Sequence, residues 1–137
     1  MERSVIFITG AASGIGRATA QFFSTKGWFV AATDVNQADL LSLENELRGD
    51  CFTAQLDVTN KSQFDEVMAR FSEAVNGRLD LLFNNAGIAE FGFLEDLPHE
   101  KMMATINVNF IGLLNGVTAA MPLLKATPNS LCFNTAS

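Results

Sequence analysis

In TGAASGIG, residues 9–16, Gly10, Gly14 and Gly16 stand in a G-x-x-x-G-x-G spacing. They follow a short apolar run, VIFI (5–8), and open a segment of helical period. That combination suits a phosphate. Glycine admits a tight turn, and without a Cβ it lets backbone approach a pyrophosphate, while a helix N-terminus presents free N–H groups and a positive dipole end. Such a turn can also be purely structural, but its place in the first β-turn-α of a βαβ unit favours dinucleotide binding, with Ser13 and Ile15 part of the same turn. Asp34 ends the next apolar run, WFVAATD. A carboxylate there accepts both ribose hydroxyls of an adenosine and repels a 2′-phosphate. Its alternative role is to cap a helix starting near Gln37. Ser13 and Val35 occupy positions from which a basic residue would meet a 2′-phosphate, and neither is basic. NAD is therefore expected over NADP. Arg17 is the dissenting charge, unless it lies on a solvated helix face.

These residues need elements to place them. VIFI (5–8), WFVAA (28–32), CFTAQL (51–56), LDLLF (79–83) and LCF (131–133) read as strands, continuous in hydrophobicity as befits strands covered on both faces. Helical periodicity lies between them. Ile15, Ala18, Phe22 and Phe23 share one face of the first helix; Leu40, Leu43 and Leu47 mark the second; Phe64, Val67, Met68, Phe71 and Val75 the third. Ile106, Phe110, Leu113, Val117, Met121 and Leu124 stripe a fourth, with Pro98 suited to its first turn and Pro122 able to bend its end. These stripes are expected to face the core. The order βαβαβαβαβ predicts an α/β, three-layer, doubly wound parallel sheet of about five strands in one domain spanning residues 1–137.

Taken together, the motifs resemble the short-chain dehydrogenase/reductase family, in its single-domain branch with a T-G-x-x-x-G-x-G turn. LDVT (56–59) is similar to that family's acidic turn after strand three, implying that Asp57 contacts the adenine amino group and Val58 packs beside it. NNAG (84–87) resembles its strand-four motif. There Asn84 is implied to hold the sheet together, and Asn85 and the backbone of Ala86 and Gly87 to lie along the cofactor. NVNFIG (107–112) resembles the N-V-N-x-x-G pattern, implying that the carbonyl of Asn109 holds a proton-relay water; a structural hydrogen bond is the other reading, since an Asn in an apolar helix is costly unless bonded. The last residues, NTAS (134–137), align with the family's N-x-S-S, so Ser137 falls on the serine that binds the reacting oxygen and Ala136 replaces the first serine. The implied activity is NAD-dependent hydride transfer between a secondary alcohol and a ketone, in a homodimer or homotetramer formed through the fourth helix.

The family's general acid/base is a tyrosine in Tyr-x-x-x-Lys, and this sequence contains no tyrosine. The 137 residues are therefore expected to form the N-terminal part of a longer enzyme, inactive alone; a non-catalytic NAD-binding module or sensor is the alternative. A sugar-nucleotide epimerase of the family's longer branch fits poorly, because its turn is spaced T-G-x-x-G-x-x-G.

Composition narrows the rest. With 48% hydrophobic and 18% charged residues the chain is globular, and a formal charge of −6 argues against a nucleic-acid or membrane-surface partner. No metal-ligand spacing appears, and His99, the single histidine, reads as a surface or capping residue. Cys51 and Cys132 read as buried free thiols in a reducing, cytoplasmic setting. Residues 110–124, interrupted by Asn115, Thr118 and two glycines, do not read as membrane-spanning.

Overall fold

A computed structural model describes residues 3–135. Strand β1 (Val5–Ile8) leads into helix α1 (Gly14–Thr25), then β2 (Phe29–Asp34), α2 (Gln37–Glu46), β3 (Cys51–Gln55), α3 (Lys61–Ala74) and β4 (Leu81–Asn84). A long helix follows in three segments: α4 (His99–Ile106), a π-helical turn (Asn107–Ile111) and α5 (Gly112–Ala126). Strand β5 (Leu131–Asn134) completes the order. Every strand pair is parallel and the sheet order is β3-β2-β1-β4-β5, so the chain reverses direction across the sheet between β1 and β4. The expected α/β doubly wound class is what the structure shows.

The pleat divides the apolar residues between two cores. Val5 and Phe7 point to the face covered by α3 and α5, where Phe64, Val67, Met68, Phe71, Leu82 and Leu123 pack. Ile6 and Ile8 point to the other face, under α1 and α2, with Ala20, Leu40 and Leu43. Phe7 anchors the first core, its ring 5.0 Å from that of Phe71 in an edge-on contact and 6.2 Å from that of Phe64. Strands buried on both faces have no polar alternation to show, which is why they read as continuous apolar runs.

Two helices turn a different face inward than their apolar stripes suggest. On α1 the buried line is Gly16, Ala20 and Ser24, while Ile15 and Phe22 are exposed. On the long helix the buried residues are Gly112, Asn115, Gly116, Ala120, Leu123 and Leu124; Ile106, Phe110 and Met121 face outward. The reason is distance. A Cβ on Gly116 would lie 2.3 Å from Oδ1 of Asn84, and one on Gly112 would lie 2.5 Å from a Val58 methyl. Small residues let these helices sit down on the strand ends, and the bulky stripe is rotated away. Helices α2 and α3 bury the faces their periodicity marks, Leu40 and Leu43 on one, Phe64, Val67, Met68 and Phe71 on the other. Among the described residues, the helix His99–Ala126 alone has length and hydropathy enough to cross a bilayer. Here its small-residue face docks on β4 and α3 instead. The two cysteines are half-buried and unpaired, and burial pushes both thiols above the usual range.

At the amino ends of the strands Asp80 joins three of them. Its carboxylate accepts from Val5 N–H at 2.8 Å and from the Arg78 guanidinium at 2.8 and 3.0 Å, and its carbonyl accepts from Leu131 N–H. Burial of the carboxyl opposes ionisation, but the Arg78 and Val5 hydrogen bonds outweigh it and lower the pKa from the ordinary 3.8. A lowered folded-state pKa stabilises the fold fully above the unfolded value and is lost as pH falls through the folded one. Asp80→Asn is expected to cost about 1 kcal/mol near neutral pH. In urea unfolding, that gap to the parent protein should close as pH drops below 3.8; a gap independent of pH would refute the assignment.

Candidate cofactor site

The backbone between β1 and α1 closes against the end of β4. Gly10 (φ +64°) sits where a Cβ would come within 2.9 Å of the Ala86 Cα, so both its conformation and its contact demand glycine. At Gly16 the conformation is helical, and the constraint is space: a Cβ would overlap the Gly10 carbonyl oxygen at 2.2 Å. Gly14 (φ +56°) has no neighbour that a Cβ would meet. The three glycines thus serve three different needs.

Thr9, buried at the end of β1, fastens the two segments. Its hydroxyl accepts from the N–H groups of Asn85 and Ala86, each at 3.0 Å, while the Asn85 amide donates to the carbonyls of Thr9 and Gly10 at 3.2 Å. Sequence reasoning passed over Thr9; a hydroxyl at a strand end directly before a glycine turn was the available signal. Asn84 donates to Oδ1 of Asn134 at 2.9 Å, which ties β4 to β5 and agrees with the sheet-holding role implied for it.

These segments border a cleft of about 390 Å³ at the carboxyl ends of the strands. Gly10, Ser13, Ile15, Asp34, Val35, Asp57, Val58, Asn85, Ala86 and Gly87 all line it, joined by Leu56, Ile88 and Val108. Ile15, exposed from the helix, is explained by that position. A larger hollow of about 840 Å³ lies at the opposite end of the sheet between Arg3, Phe29, Arg78 and Pro128. It holds none of the candidate site residues. In doubly wound sheets ligands bind at the carboxyl ends, where the strand order reverses, and only the smaller cleft meets that condition.

Asp34 does not cap α2. Asn36 does, its side chain accepting from Asp39 N–H at 3.0 Å, which leaves the Asp34 carboxylate to the cleft. Its two oxygens each accept one backbone N–H, from Ala12 and Asn36, both at 3.0 Å. Asp57 is held by an Asx-type turn, one oxygen accepting from the N–H and hydroxyl of Thr59. Arg17 is neither a free cation nor a solvated one. Its side chain is 21% exposed and bonded to Ala12, Asp39, Ser42 and Glu46.

Asn109 stands in the π-helical turn and clasps Ile88 at both ends: its Oδ1 accepts from Ile88 N–H and its amide donates to Ile88 O, each at 2.8 Å. The structural bond weighed for this residue is present, and it fixes the segment following Gly87. Such turns recur at functional sites because they release backbone groups from the regular ladder. Ser137 lies outside the described residues. His99 is exposed at the start of α4, as expected. Among the described residues no group of His, Cys, Asp or Glu could hold a metal ion.

A backbone approach that leaves no room for a Cβ at Gly10 or Gly16, a carboxylate at the end of β2 and the reversal of strand order are features of the doubly wound class, whose crevice at the strand ends takes nucleotides. Residues 4–137 match the family model for short chain dehydrogenases. The chain is 37% identical over 140 residues to a 3-oxoacyl-[acyl-carrier-protein] reductase of Thermotoga maritima, covering 100% of this chain and 56% of that protein. In structure it is similar to a short chain dehydrogenase/reductase from Burkholderia phymatum in complex with NAD (TM-score 0.93, 32% identity, 99% of this chain and 50% of the other). It is also similar to an alcohol dehydrogenase from Thermococcus sibiricus complexed with 5-hydroxy-NADP (TM-score 0.85, 29% identity, 96% and 57%). The chain belongs to the short-chain dehydrogenase/reductase family, a family of oxidoreductases, and spans about half the length of these relatives.

Gly16→Ala tests the glycine turn. The added methyl must displace the Gly10 carbonyl, so dinucleotide affinity should fall by about tenfold or more, with a stability loss of about 1–3 kcal/mol. Calorimetric titration with NAD beside thermal unfolding separates the two effects; unchanged affinity would show that the turn is not used.

Proposed function

We propose that this chain forms the cofactor half of an NAD-dependent oxidoreductase that interconverts a secondary alcohol and a ketone. The observation that carries the reading is the Asp34 carboxylate, oriented by two backbone donors and lining the same cleft as the glycine turn. Bound NAD would supply the hydride chemistry, with the protein supplying position and electrostatics. The N–H groups at the start of α1 hold the pyrophosphate, Asp34 takes the adenosine ribose hydroxyls, and Asp57 and Val58 border the adenine. Asn85, Ala86 and Gly87 run beside the nicotinamide half. Asn109 keeps Ile88, and so the wall of the site, in place, and its carbonyl serves the proton-relay water. Ser137 orients the reacting oxygen of the substrate. The similarity to a reductase and to an NAD complex supports this reading; proton transfer is assigned to a group outside residues 1–137, since these contain no tyrosine. That same lack favours a second reading, a non-catalytic NAD-binding module. Reduction of NAD by secondary alcohols in the full-length protein, followed by absorbance, separates the two.

Cofactor choice is tested at Asp34. NAD should bind at least about tenfold more tightly than NADP, and Asp34→Ala should remove most of that preference. Equal affinities in the parent protein would overturn it.

The second copy expected of a homodimer or homotetramer is assigned to the outward stripe of the long helix, where Ile106, Phe110, Leu114 and Met121 are 49%, 57%, 42% and 37% exposed. Phe110→Glu is expected to shift sedimentation toward the monomer, and an unchanged oligomer would place the contact elsewhere.

A further inference from the structure

Arg17 directly follows Gly16 in α1, and its side chain hydrogen-bonds none of the residues that line the cleft. Its guanidinium instead joins the loop before α1 to α2. Nη1 donates to the Ala12 carbonyl at 3.0 Å and the Asp39 carbonyl at 3.2 Å; Nη2 donates to Ser42 Oγ at 3.1 Å and Glu46 Oε1 at 2.6 Å. The first carbonyl of the α1 ladder is that of Ser13, which accepts from Arg17 N–H. Ala12 precedes the ladder and is 4% exposed, so its carbonyl depends on this side chain for a partner.

The Ala12 N–H is one of the two donors to the Asp34 carboxylate. The other, the N–H of Asn36, belongs to the residue that caps α2, the helix Arg17 grips at Asp39, Ser42 and Glu46. We propose that Arg17 is a positioning residue of the cofactor site: by holding the loop and α2 together it fixes both donors of Asp34, and so sets the preference for an unphosphorylated ribose. This rests on the reading that Asp34 takes the ribose hydroxyls. A planar fork of donors is what the task requires, and a lysine, as a point charge, does not reproduce it. Glu46 completes the arrangement. Its carboxyl is held below the usual carboxylate range by hydrogen bonds from Arg17 and then Gln21, so it stays ionised opposite the guanidinium.

The test is affinity for NAD and for NADP by titration of the parent protein, Arg17→Met, Arg17→Lys, Asp34→Ala and Asp34→Ala/Arg17→Met. Arg17→Met and Arg17→Lys should each weaken NAD about tenfold and change NADP by no more than about twofold. General loosening of the fold would weaken both nucleotides alike, so the ratio isolates positioning. With Asp34 already replaced, Arg17→Met should leave that ratio unchanged, because the two residues act as one unit. If Asp34→Ala abolishes the preference but both Arg17 variants retain it, the positioning role is wrong while the ribose reading stands. If Asp34→Ala also retains it, the ribose reading fails and the inference with it. Should Arg17→Met not fold, Arg17→Lys and Glu46→Gln decide: retention of the parental ratio in both overturns the proposal.

Discussion

The architecture of this chain turns on how closely the backbone after β1 approaches the end of β4. Gly10 stands against Ala86 with no room for a Cβ, and Gly16 stands against the Gly10 carbonyl in the same way. Thr9 then closes the contact with two hydrogen bonds to the β4 end. Because the contact is backbone on backbone, the start of α1 is drawn to the carboxyl ends of the strands, where Ser13 and Ile15 line the cleft. The small-residue line of Gly16, Ala20 and Ser24 follows from the same closeness. A helix lowered onto a sheet presents its least bulky face, and its large apolar residues go to the flanks or, like Ile15, to the cleft.

The long helix obeys the same constraint on the other face of the sheet. Gly112 and Gly116 bring it against Val58 and Asn84, and Asn115 donates to the Val58 carbonyl at 2.8 Å, so the turn carrying Asp57 and Val58 is braced from behind. The π-helical turn at Asn107–Ile111 shifts the helix face by a fraction of a turn. Asn109 is thereby free to reach Ile88, while Gly112 and Asn115 still meet the sheet. Polar groups in these contacts are matched: among the described residues no buried side-chain nitrogen or oxygen lacks a hydrogen-bond partner. Satisfied polar contacts give the site its definition, since each has one low-energy geometry where an apolar contact has many.

How much of this was legible in the sequence depended on the range of the physics involved. Alternation of apolar runs with helical segments reports local burial, and it produced the strands, the helices and the doubly wound class. Glycine spacing and a carboxylate at the end of β2 report local chemistry, and they marked Gly10, Ser13, Ile15 and Asp34 of the cleft's lining, while Asp57, Val58, Asn85, Ala86 and Gly87 came from the resemblance to the family. Leu40, Leu43, Phe64 and Phe71 were recoverable because α2 and α3 pack through large side chains that periodicity marks. The inward faces of α1 and α5 were not, because closeness of approach is a relation between distant segments. Gly116 is inward only because Asn84 lies opposite it, 32 positions earlier in the chain.

Residue identity and order alone therefore determined the class of fold, the family and many of the residues that line the cleft at the strand ends. Tertiary structure decided which groups are occupied. It gave the α2 cap to Asn36 and left Asp34 to the cleft. It drew Arg17, which as a charge on a helix could have met a phosphate or water, into a fork across Ala12, Asp39, Ser42 and Glu46. Charge and spacing are properties of the chain; the partner that satisfies a charge is chosen only when the packed elements bring a matching acceptor within hydrogen-bond reach.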